Sequence, residues 1–332
     1  MSANIEITYG STSIYTGTDT STITLPTSGK LMSGDITIEP YYDASSVLED
    51  NDWEVIGAIA QKGSAASFWS VGATKSVALS GKIGTLSIST TLYVYIIGIN
   101  HRDVNGITFQ GFKTSASSGV DVCLIDSKYG STSSNGSKYF NLNHWGSSSS
   151  PYNTNYGGWK GCDARYDILG STNVAPSGYG ATPTTSRVGY DAGTATATNP
   201  VSNTLMSCLP SDLRAVMQPM TVYTDNKGNS SNTAANVTTS VDYLPLLAEF
   251  EVFGARSYAN QYEKNNQTQY AYYSAGNSKV KYKHSSTGTT AYWWGRSPFY
   301  VNAISFCRVN TYGSAYSDSS RASYGLAPAF TV

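Results

Sequence analysis

Short segments in which polar and apolar residues alternate follow one another along much of the chain. Near the N-terminus they are Ile5–Thr8, Ser21–Leu25 and Asp35–Glu39, separated by Gly, Ser and Thr. A period of two places successive side chains on opposite faces of a strand and predicts half-buried strands. We therefore expect residues 1–45 to form a small all-β module for attachment or oligomerisation, with Pro40 ending its last strand before a hinge.

Strand patterns continue beyond residue 45. The apolar run Leu92–Ile99 is too short to span a bilayer and predicts a buried strand. No transmembrane segment is expected. Further strands are predicted where β-branched and aromatic residues concentrate, at Ser76–Leu79, Thr85–Ile88, Ile107–Gln110 and Val122–Ile125.

Two segments carry helix signals. Ser211–Met217 begins with a Ser N-cap and an acidic residue in the first turn, and Pro219 stops it. Gln261–Ser274 is rich in helix formers and is followed by Gly276, a common end signal. These two segments predict one helix each.

Residues 130–200 consist mostly of Ser, Gly, Asn, Thr and Tyr without a clear period. This composition predicts long ordered surface loops, with Trp145 and Trp159 pinning them. The complete pattern predicts an α+β chain of two parts: the small β module in residues 1–45 and a larger domain with long loops in residues 46–332.

Composition narrows the classes of function. The chain has 332 residues, of which 40% are hydrophobic and 12% aromatic, enough for a substantial core. Charged residues make up 13%, the formal net charge is -1, and no cluster of Lys and Arg could neutralise a row of phosphates. Nucleic acid is therefore not expected as a partner. Met1–Glu6 has neither a basic start nor an apolar run, so synthesis in a cytoplasm without a secretory signal is expected.

The residue types that often act in catalysis or metal binding lie far apart along the chain. The cysteines are far apart and, given a cytoplasmic origin, are expected to be buried free thiols: Cys123, Cys162, Cys208 and Cys307. The histidines are isolated from one another, and Asp225–Ser230 is expected to be a polar turn rather than a calcium loop. We expect no metal, cofactor or catalytic residue, and no hydrolase or phosphate-loop motif is present.

The segment from Gly295 to Val332 lacks Lys, Glu, Gln, Met and Trp, although Lys, Glu, Gln and Trp all occur just before it. These are the amino acids that no codon ending in C encodes. Asn is AAC in such a set, and random replacement of its adenines yields many residue types but never a stop codon. Phe299–Ser305 and Tyr316–Arg321 have the mixed composition that such replacement produces. Composition alone is also compatible with chance.

The residues that flank this segment favour diversification over chance. Trp293–Pro298 and Gly325–Phe330 together resemble the closing signature of bacterial and phage C-type-lectin-like domains. That family includes the variable proteins of diversity-generating retroelements, such as phage tropism determinants, whose reverse transcriptase mutates a copied template at adenines. The resemblance extends upstream over most of the chain beyond about residue 50, through Asp121–Gly130, Val222–Asn226, Leu247–Gly254 and Tyr270–Tyr273.

The resemblance implies a C-type-lectin-like fold for residues 46–332, with residues 295–324 as the variable, ligand-binding region. Gly295 departs from the family pattern, which has a larger residue there, and a Glu codon becomes Gly by one adenine change. Tyr, Ser and small polar residues suit a binding surface because they combine contact area with adaptable hydrogen bonding. The predicted ligand-binding residues are Phe299, Tyr300, Val301, Ala303, Ile304, Ser305, Arg308, Tyr312, Ser314, Tyr316, Ser317, Asp318, Ser319, Arg321 and Tyr324.

Other residues of the C-terminal region are expected to be structural. Alternation along the segment predicts core contacts for Phe306, Cys307, Val309 and Ala315. Trp293 and Trp294 are adjacent in a predicted strand, so their side chains point to opposite faces, and at least one is expected in the core. Arg296 and Ser297 are expected to fix the turn at Pro298.

The functional expectation is a receptor-binding adhesin without enzymatic activity, located in a phage virion tail or, alternatively, on a bacterial surface. Its expected partners are a host-cell surface receptor, protein or glycan, and other tail or surface subunits, with self-assembly into a homo-oligomer such as a trimer. A structural tail subunit with a fixed lectin-like domain is the alternative. An enzyme resembling formylglycine-generating enzymes is a weaker one, because their copper site needs two neighbouring cysteines and only Cys307 lies in that region.

Overall fold

The computed structural model describes residues 4–9, 12–18, 39–41, 44–84, 86–124, 154–172 and 197–332. Within them, many strands in several sheets combine with short helices, which confirms the predicted α+β class.

The N-terminal strands form one antiparallel sheet. They are β1 (Asn4–Tyr9), β2 (Thr12–Thr18) and β3 (Glu39–Tyr41), in the order β2-β1-β3. Pro40 lies within β3, opposite Ile5, so the prediction that it ends the strand is wrong. β3 is an edge strand, where a residue without an N–H group is tolerated. The predicted strand Ser21–Leu25 and most of Asp35–Glu39 lie outside the described residues.

A four-stranded antiparallel sheet forms the centre of the larger domain. Its strands are β4 (Thr74–Ile83), β5 (Leu86–Ile99), β6 (Ile107–Lys113) and β15 (Ala329–Thr331), in the order β15-β6-β5-β4. The two strands predicted within residues 85–99 are one long strand from Leu86 onward. The C-terminal β15 pairs with β6, with Phe330 opposite Phe109.

The other strands form three smaller sheets. One pairs β8 (Met220–Asp225) with β9 (Val237–Asp242). Another comprises β7 (Val122–Cys123), β10 (Lys281–Lys283) and β11 (Ser286–Ala291), in the order β11-β10-β7. The third has the order β12-β13-β14 and comprises β12 (Trp293–Pro298), β13 (Ser305–Val309) and β14 (Ala315–Ser319).

The helices are short. They are α1 (Trp53–Gln61), α2 (Asp163–Asp167), α3 (Leu205–Cys208), α4 (Ser211–Val216), α5 (Glu249–Phe253) and α6 (Ala271–Ser274). α1, which the sequence analysis did not predict, packs Trp53 against Phe109 and Phe330 of the central sheet. The predicted helix at residue 211 is present, but Pro210 is its N-cap and Ser211 is already helical.

The predicted helix Gln261–Ser274 is not continuous. A 3₁₀ turn covers Gln261–Asn265, and α6 begins only at Ala271. Between them the Gln267 side chain donates to the Tyr223 carbonyl oxygen at 2.7 Å, and the Tyr270 N–H donates to the Glu251 carbonyl oxygen at 3.0 Å. These tertiary hydrogen bonds replace the helical ones, so packing overrides local propensity.

Two hydrophobic clusters meet at β12. Trp294 belongs to the larger cluster, which includes Trp53 and Phe330, whereas Trp293 belongs to a second cluster with Tyr273. Both tryptophans are fully buried, as opposite orientation along a strand allows when both faces of the strand are covered. The cysteines named above are free and buried, as predicted.

Candidate ligand-binding face

The C-terminal antiparallel sheet organises the candidate site. Trp294 pairs with Arg308 and Arg308 with Tyr316, while Pro298 pairs with Phe306 and Phe306 with Asp318. We call the surface formed by the 299–304 loop, the 310–314 turn and β14 the C-terminal face. Phe306, Cys307 and Val309 are buried beneath it, as predicted, whereas Ala315 is half-buried.

The structure divides the predicted ligand-binding residues into three groups by burial. Exposed residues are Val301, Ile304, Tyr312, Ser314, Tyr316 and Arg321. Half-buried residues are Phe299, Tyr300, Ala303, Ser317, Asp318, Ser319 and Tyr324. Ser305 and Arg308 are buried, so neither is presented as an open contact residue.

Burial of Ser305 and Arg308 has clear physical causes. The main chain of Ser305 is held on both sides: its N–H donates to Asn302 Oδ1 at 2.8 Å, and its carbonyl oxygen accepts from Asn155 Nδ2 at 2.9 Å. Arg308 is covered by aromatic rings. Its guanidinium carbon lies 4.2 Å, 4.6 Å and 5.1 Å from the ring centres of Tyr292, Tyr316 and Tyr324.

An acidic residue completes the cage around Arg308. Arg308 Nε lies 3.3 Å from Asp318 Oδ2, which also accepts from the Tyr324 hydroxyl at 2.6 Å. Burial raises the pKa of Tyr324, and the hydrogen bond to Asp318 raises it further, so Tyr324 keeps its proton. Guanidinium groups between aromatic faces are stabilised by the ring quadrupoles. Arg308 therefore holds three tyrosines together at the edge of the face.

A loop upstream contributes aromatic surface that sequence reasoning missed. The ring of Tyr258 lies 5.4 Å from that of Phe299 and 5.8 Å from that of Tyr316, and so joins the 299–304 loop to β14. Arg256 places its guanidinium carbon 4.3 Å from the ring centre of Tyr300. No sequence signal pairs residues 256–258 with the tail. By contrast, Tyr292 lies two positions before Trp294, so strand alternation could have placed both side chains on the same side of the strand.

Asn155 anchors the 299–304 loop. This fully buried residue donates from Nδ2 to the carbonyl oxygens of Asn302 at 2.8 Å and Ser305 at 2.9 Å. Its Oδ1 accepts from the N–H of Asn229 at 2.9 Å, and its own N–H donates to the Ala303 carbonyl oxygen at 2.8 Å. The loop thus keeps a fixed main chain while Val301 and Ile304 project outward.

The sequence predicts that Trp145 and Trp159 anchor the long loops of residues 130–200. Trp159 is fully buried and donates from Nε1 to Asp242 Oδ2 at 3.2 Å, so it anchors residues 154–172 to β9. These residues are mostly buried and include α2, so the prediction of surface loops is wrong for this part of the stretch. Trp145 lies outside the described residues.

A buried polar network underlies β12. Arg296 donates to both carboxylate oxygens of Glu251 at 2.6 Å, and Ser297 donates to Glu263 Oε2 at 2.7 Å. The prediction that Arg296 and Ser297 serve the turn at Pro298 is therefore wrong: both side chains point into the core. Burial alone would raise the pKa of Glu251, but the ion pair with Arg296 holds it below its ordinary value.

Glu263 shows the opposite behaviour. Burial raises its pKa to about 7, although it accepts hydrogen bonds from the Asp225 N–H, Gln267 and Ser297. Arg296 is already engaged with Glu251 and only partly offsets this effect. Glu263 is thus a buried carboxyl group that titrates near neutral pH.

The segment beginning at Asp225 is a polar turn, as predicted. Asp225 Oδ1 accepts from the N–H groups of Lys227 and Gly228 at 3.0 Å, and Oδ2 accepts from Ser231 at 2.7 Å and Asn260 at 2.8 Å. Protein donors therefore occupy this carboxylate. In the part of the chain that the structure describes, no group of three or more His, Cys, Asp and Glu side chains could hold a metal ion.

Cys307 has the environment of a structural thiol. It is buried within β13, and burial together with the nearby charges of Glu249 and Glu263 raises its pKa well above the ordinary value. A reactive cysteine requires the thiolate form, which this environment disfavours.

Comparisons with known proteins add one family assignment. No curated protein and no solved structure matches the chain. None of the helices in the described ranges is long and apolar enough to cross a membrane. A family model described as Domain of unknown function (DUF6273) matches residues 121–332, a stretch that contains the whole C-terminal face. The chain belongs to this family.

Proposed function

We propose that this protein is a receptor-binding adhesin that presents a variable ligand-binding surface on a C-type-lectin-like domain. The observation that carries the proposal is the concentration of exposed apolar side chains in one segment of the chain. Among the described residues, most exposed large apolar or tyrosine side chains fall between Tyr292 and Tyr316. Exposed apolar side chains provide the contact area of interaction sites.

The architecture beneath the face suits variation. Tyr312 is 87% exposed and Val301 56% exposed, whereas the neighbouring Phe306 is fully buried. Substitutions at exposed positions away from specific contacts change stability little, so the surface can vary while the core is retained. This separation supports the proposal that a retroelement diversifies residues 295–324.

The chemistry of the face favours recognition over catalysis. Tyrosine rings supply contact area with few rotatable bonds, and Ser and Asn supply adaptable hydrogen bonds, as in antibody binding loops. The raised pKa of the buried Cys307 weighs against an enzyme resembling formylglycine-generating enzymes. The receptor proposed is a host-cell surface protein or glycan.

We place the protein in a phage tail, with a bacterial surface as the alternative location. Among the described residues, β2 and β3 are the outer strands of the N-terminal sheet, and the edges of such strands readily pair with further chains. This sheet is proposed to attach the domain to other tail or surface subunits, or to its own copies in a homo-oligomer such as a trimer.

The DNA around the gene provides the most direct test of diversification. The proposal expects a near-copy of the region encoding residues 295–332, differing only where the copy carries adenine, beside a reverse transcriptase gene. The positions that differ should coincide with exposed residues such as Val301, Ile304 and Tyr316. Absence of such a copy would contradict diversification and favour the alternative, a structural tail subunit with a fixed lectin-like domain.

A binding experiment tests adhesion separately. Fluorescently labelled protein would be incubated with a panel of bacterial strains, and bound protein measured by flow cytometry. A variant with Val301→Ser, Ile304→Ser, Tyr312→Ser and Tyr316→Ser should lose at least about tenfold in apparent affinity, since interface anchors carry most binding energy. The matched control, Val47→Ser with Val241→Ser, removes exposed apolar side chains elsewhere and should bind normally. Equal loss in both variants, or none, would contradict the proposed face.

A further inference from the structure

We infer that a second binding site, separate from the C-terminal face, takes a small molecule that carries one carboxylate on a flat apolar body. The site is a cavity of about 320 Å³ between the turn at residues 101–106 and the first half of β8. Tyr270 and Thr331 complete its wall. This volume lies at the lower end of the range of about 300–1,000 Å³ that is typical of small-molecule pockets.

The turn that forms one wall has an unusual backbone. Asn100 and Arg102 both adopt the left-handed conformation, with φ of 48° and 56°. The Asn100 side chain stabilises it by donating to the Gly63 carbonyl oxygen at 2.9 Å and accepting from the Gly106 N–H at 3.2 Å. Left-handed residues other than glycine cost free energy and concentrate at ligand-binding and active sites. Here they place His101 and Arg102 at the cavity.

Charge at the cavity favours a single negative group. Arg102 is exposed, and among the described residues no ion pair involves it; its guanidinium carbon lies 5.2 Å from the ring centre of Tyr223. Glu251 also lines the cavity, but both of its carboxylate oxygens accept from Arg296. Among the described side chains of the cavity, one positive charge is therefore left for a ligand. A phosphate dianion would bring more negative charge close to Glu251 than Arg102 could offset.

His101 adds a neutral ring to the wall of the cavity. Its ring stacks on Tyr270, with ring centres 3.9 Å apart and planes 19° apart. Burial lowers the pKa of His101, so the imidazole is neutral at neutral pH.

The remaining wall sets the shape of the ligand. Tyr223, which is half-buried, provides an aromatic ring, and Val104 and Met220 provide apolar contacts, while Gln218 and several threonine side chains are neutral and polar. A planar ring fits between such surfaces by stacking. The carboxylate would accept hydrogen bonds from the Arg102 guanidinium, a charge-assisted contact that an uncharged amide cannot reproduce.

Benzoate and its uncharged isostere benzamide are suitable probes. Titrations of ¹⁵N-labelled protein would be followed by chemical-shift changes, with the expectation that benzoate binds saturably at about 1 mM and benzamide at least about tenfold more weakly. The shifted resonances should map to residues 101–106 and 218–223. No saturable change there, or equal binding of the two probes, would overturn the inference.

Variants of Arg102 test the role assigned to the charge. Arg102→Asn removes the cation but keeps a residue that tolerates the left-handed conformation, so the fold should be retained and benzoate should bind at least about tenfold more weakly. Arg102→Lys should retain most of the affinity. Arg321→Asn, at an exposed position beyond β14, is the matched control and should bind benzoate like the wild type. Unchanged binding in Arg102→Asn would overturn the assignment. Receptor binding by the C-terminal face is not involved in any of these readouts.

Discussion

The guanidinium of Arg296 donates to both carboxylate oxygens of Glu251, in an ion pair that is almost completely removed from solvent. The same guanidinium donates from Nη1 to the Leu246 carbonyl oxygen at 2.7 Å and from Nε to Thr224 Oγ1 at 2.9 Å. Arg296 therefore joins β12, β8 and α5 at the point where the C-terminal face meets the rest of the domain. A buried charge of this kind requires its partner, since each ion has lost its hydration.

Breaking this pair should destabilise the fold strongly. Arg296→Met fills a similar volume but leaves the Glu251 carboxylate buried without its counter-charge, which typically costs about 3–5 kcal/mol. Urea unfolding followed by tryptophan fluorescence would measure the change in free energy of unfolding. Arg321→Met, at an exposed site, should change it by less than about 0.5 kcal/mol. A similar small change for Arg296→Met would contradict the importance of the pair.

Removing Asn155 should loosen the 299–304 loop. Asn155→Ala leaves the carbonyl oxygens of Asn302 and Ser305 without their side-chain donor, and each unsatisfied buried group costs about 1–3 kcal/mol. Hydrogen exchange should accelerate in residues 299–305 more than in β5. Asn155→Asp keeps an acceptor for the Asn229 N–H but cannot donate to the two carbonyls, so it should accelerate exchange too. Protection of the loop in both variants would show that other contacts hold it.

The exposed residues of the C-terminal face should be dispensable for stability. Tyr312→Ala removes a side chain that is 87% exposed, so the free energy of unfolding should change by less than about 0.5 kcal/mol. Phe306→Ala, in the adjacent strand, removes a fully buried ring and should cost about 3–5 kcal/mol. Thermal unfolding of the two variants measures this contrast. A large loss of stability in Tyr312→Ala would assign this residue a structural role.

Glu263 should make stability depend on pH in an unusual direction. Burial raises its pKa in the folded protein from 4.5 to about 7, so the folded state holds a proton that the unfolded state has released. The stabilisation linked to this proton is fully present below about pH 4.5 and is lost as the pH rises through about 7, with a magnitude on the order of 3 kcal/mol.

The variant Glu263→Gln isolates this contribution, because the amide does not titrate. Melting temperatures measured between pH 5 and 8 should fall with rising pH in the wild type and vary less in Glu263→Gln. Glu54→Gln, an exposed carboxylate on α1, should keep the wild-type pH profile. Identical profiles for the wild type and Glu263→Gln would show that Glu263 is ionised throughout this range.

The local sequence pattern was sufficient to predict those strands and helices whose formation depends mainly on their own residues. The apolar run Leu92–Ile99 lies in a buried strand, and Ser211–Val216 is helical, because alternation, apolar content and turn residues act over a few positions. The burial of Phe306, Cys307 and Val309 was likewise visible in the chain, whereas the predicted alternation was wrong, because every residue of β13 is buried. These features follow from the short-range geometry of strands and helices.

Other features depended on contacts between distant residues. The break between Gln261 and Ser274 arises because Gln267 bonds to Tyr223, and Arg308 is buried because Tyr292, Tyr316 and Tyr324 surround it. Arg296, expected to serve a turn, instead pairs with Glu251 in the core. Local periodicity carries no information about which distant groups will satisfy a buried charge or amide.

The sequence by itself determined the α+β class, the free buried cysteines and the surface-forming composition of the tail, since these depend on residue type and spacing. Only the tertiary structure decided which tail residues are exposed, that Asn155 and Tyr258 belong with them, and that a cavity lies beside Arg102. Each of these depends on long-range packing and hydrogen bonding, whose partners are set when the chain closes on itself.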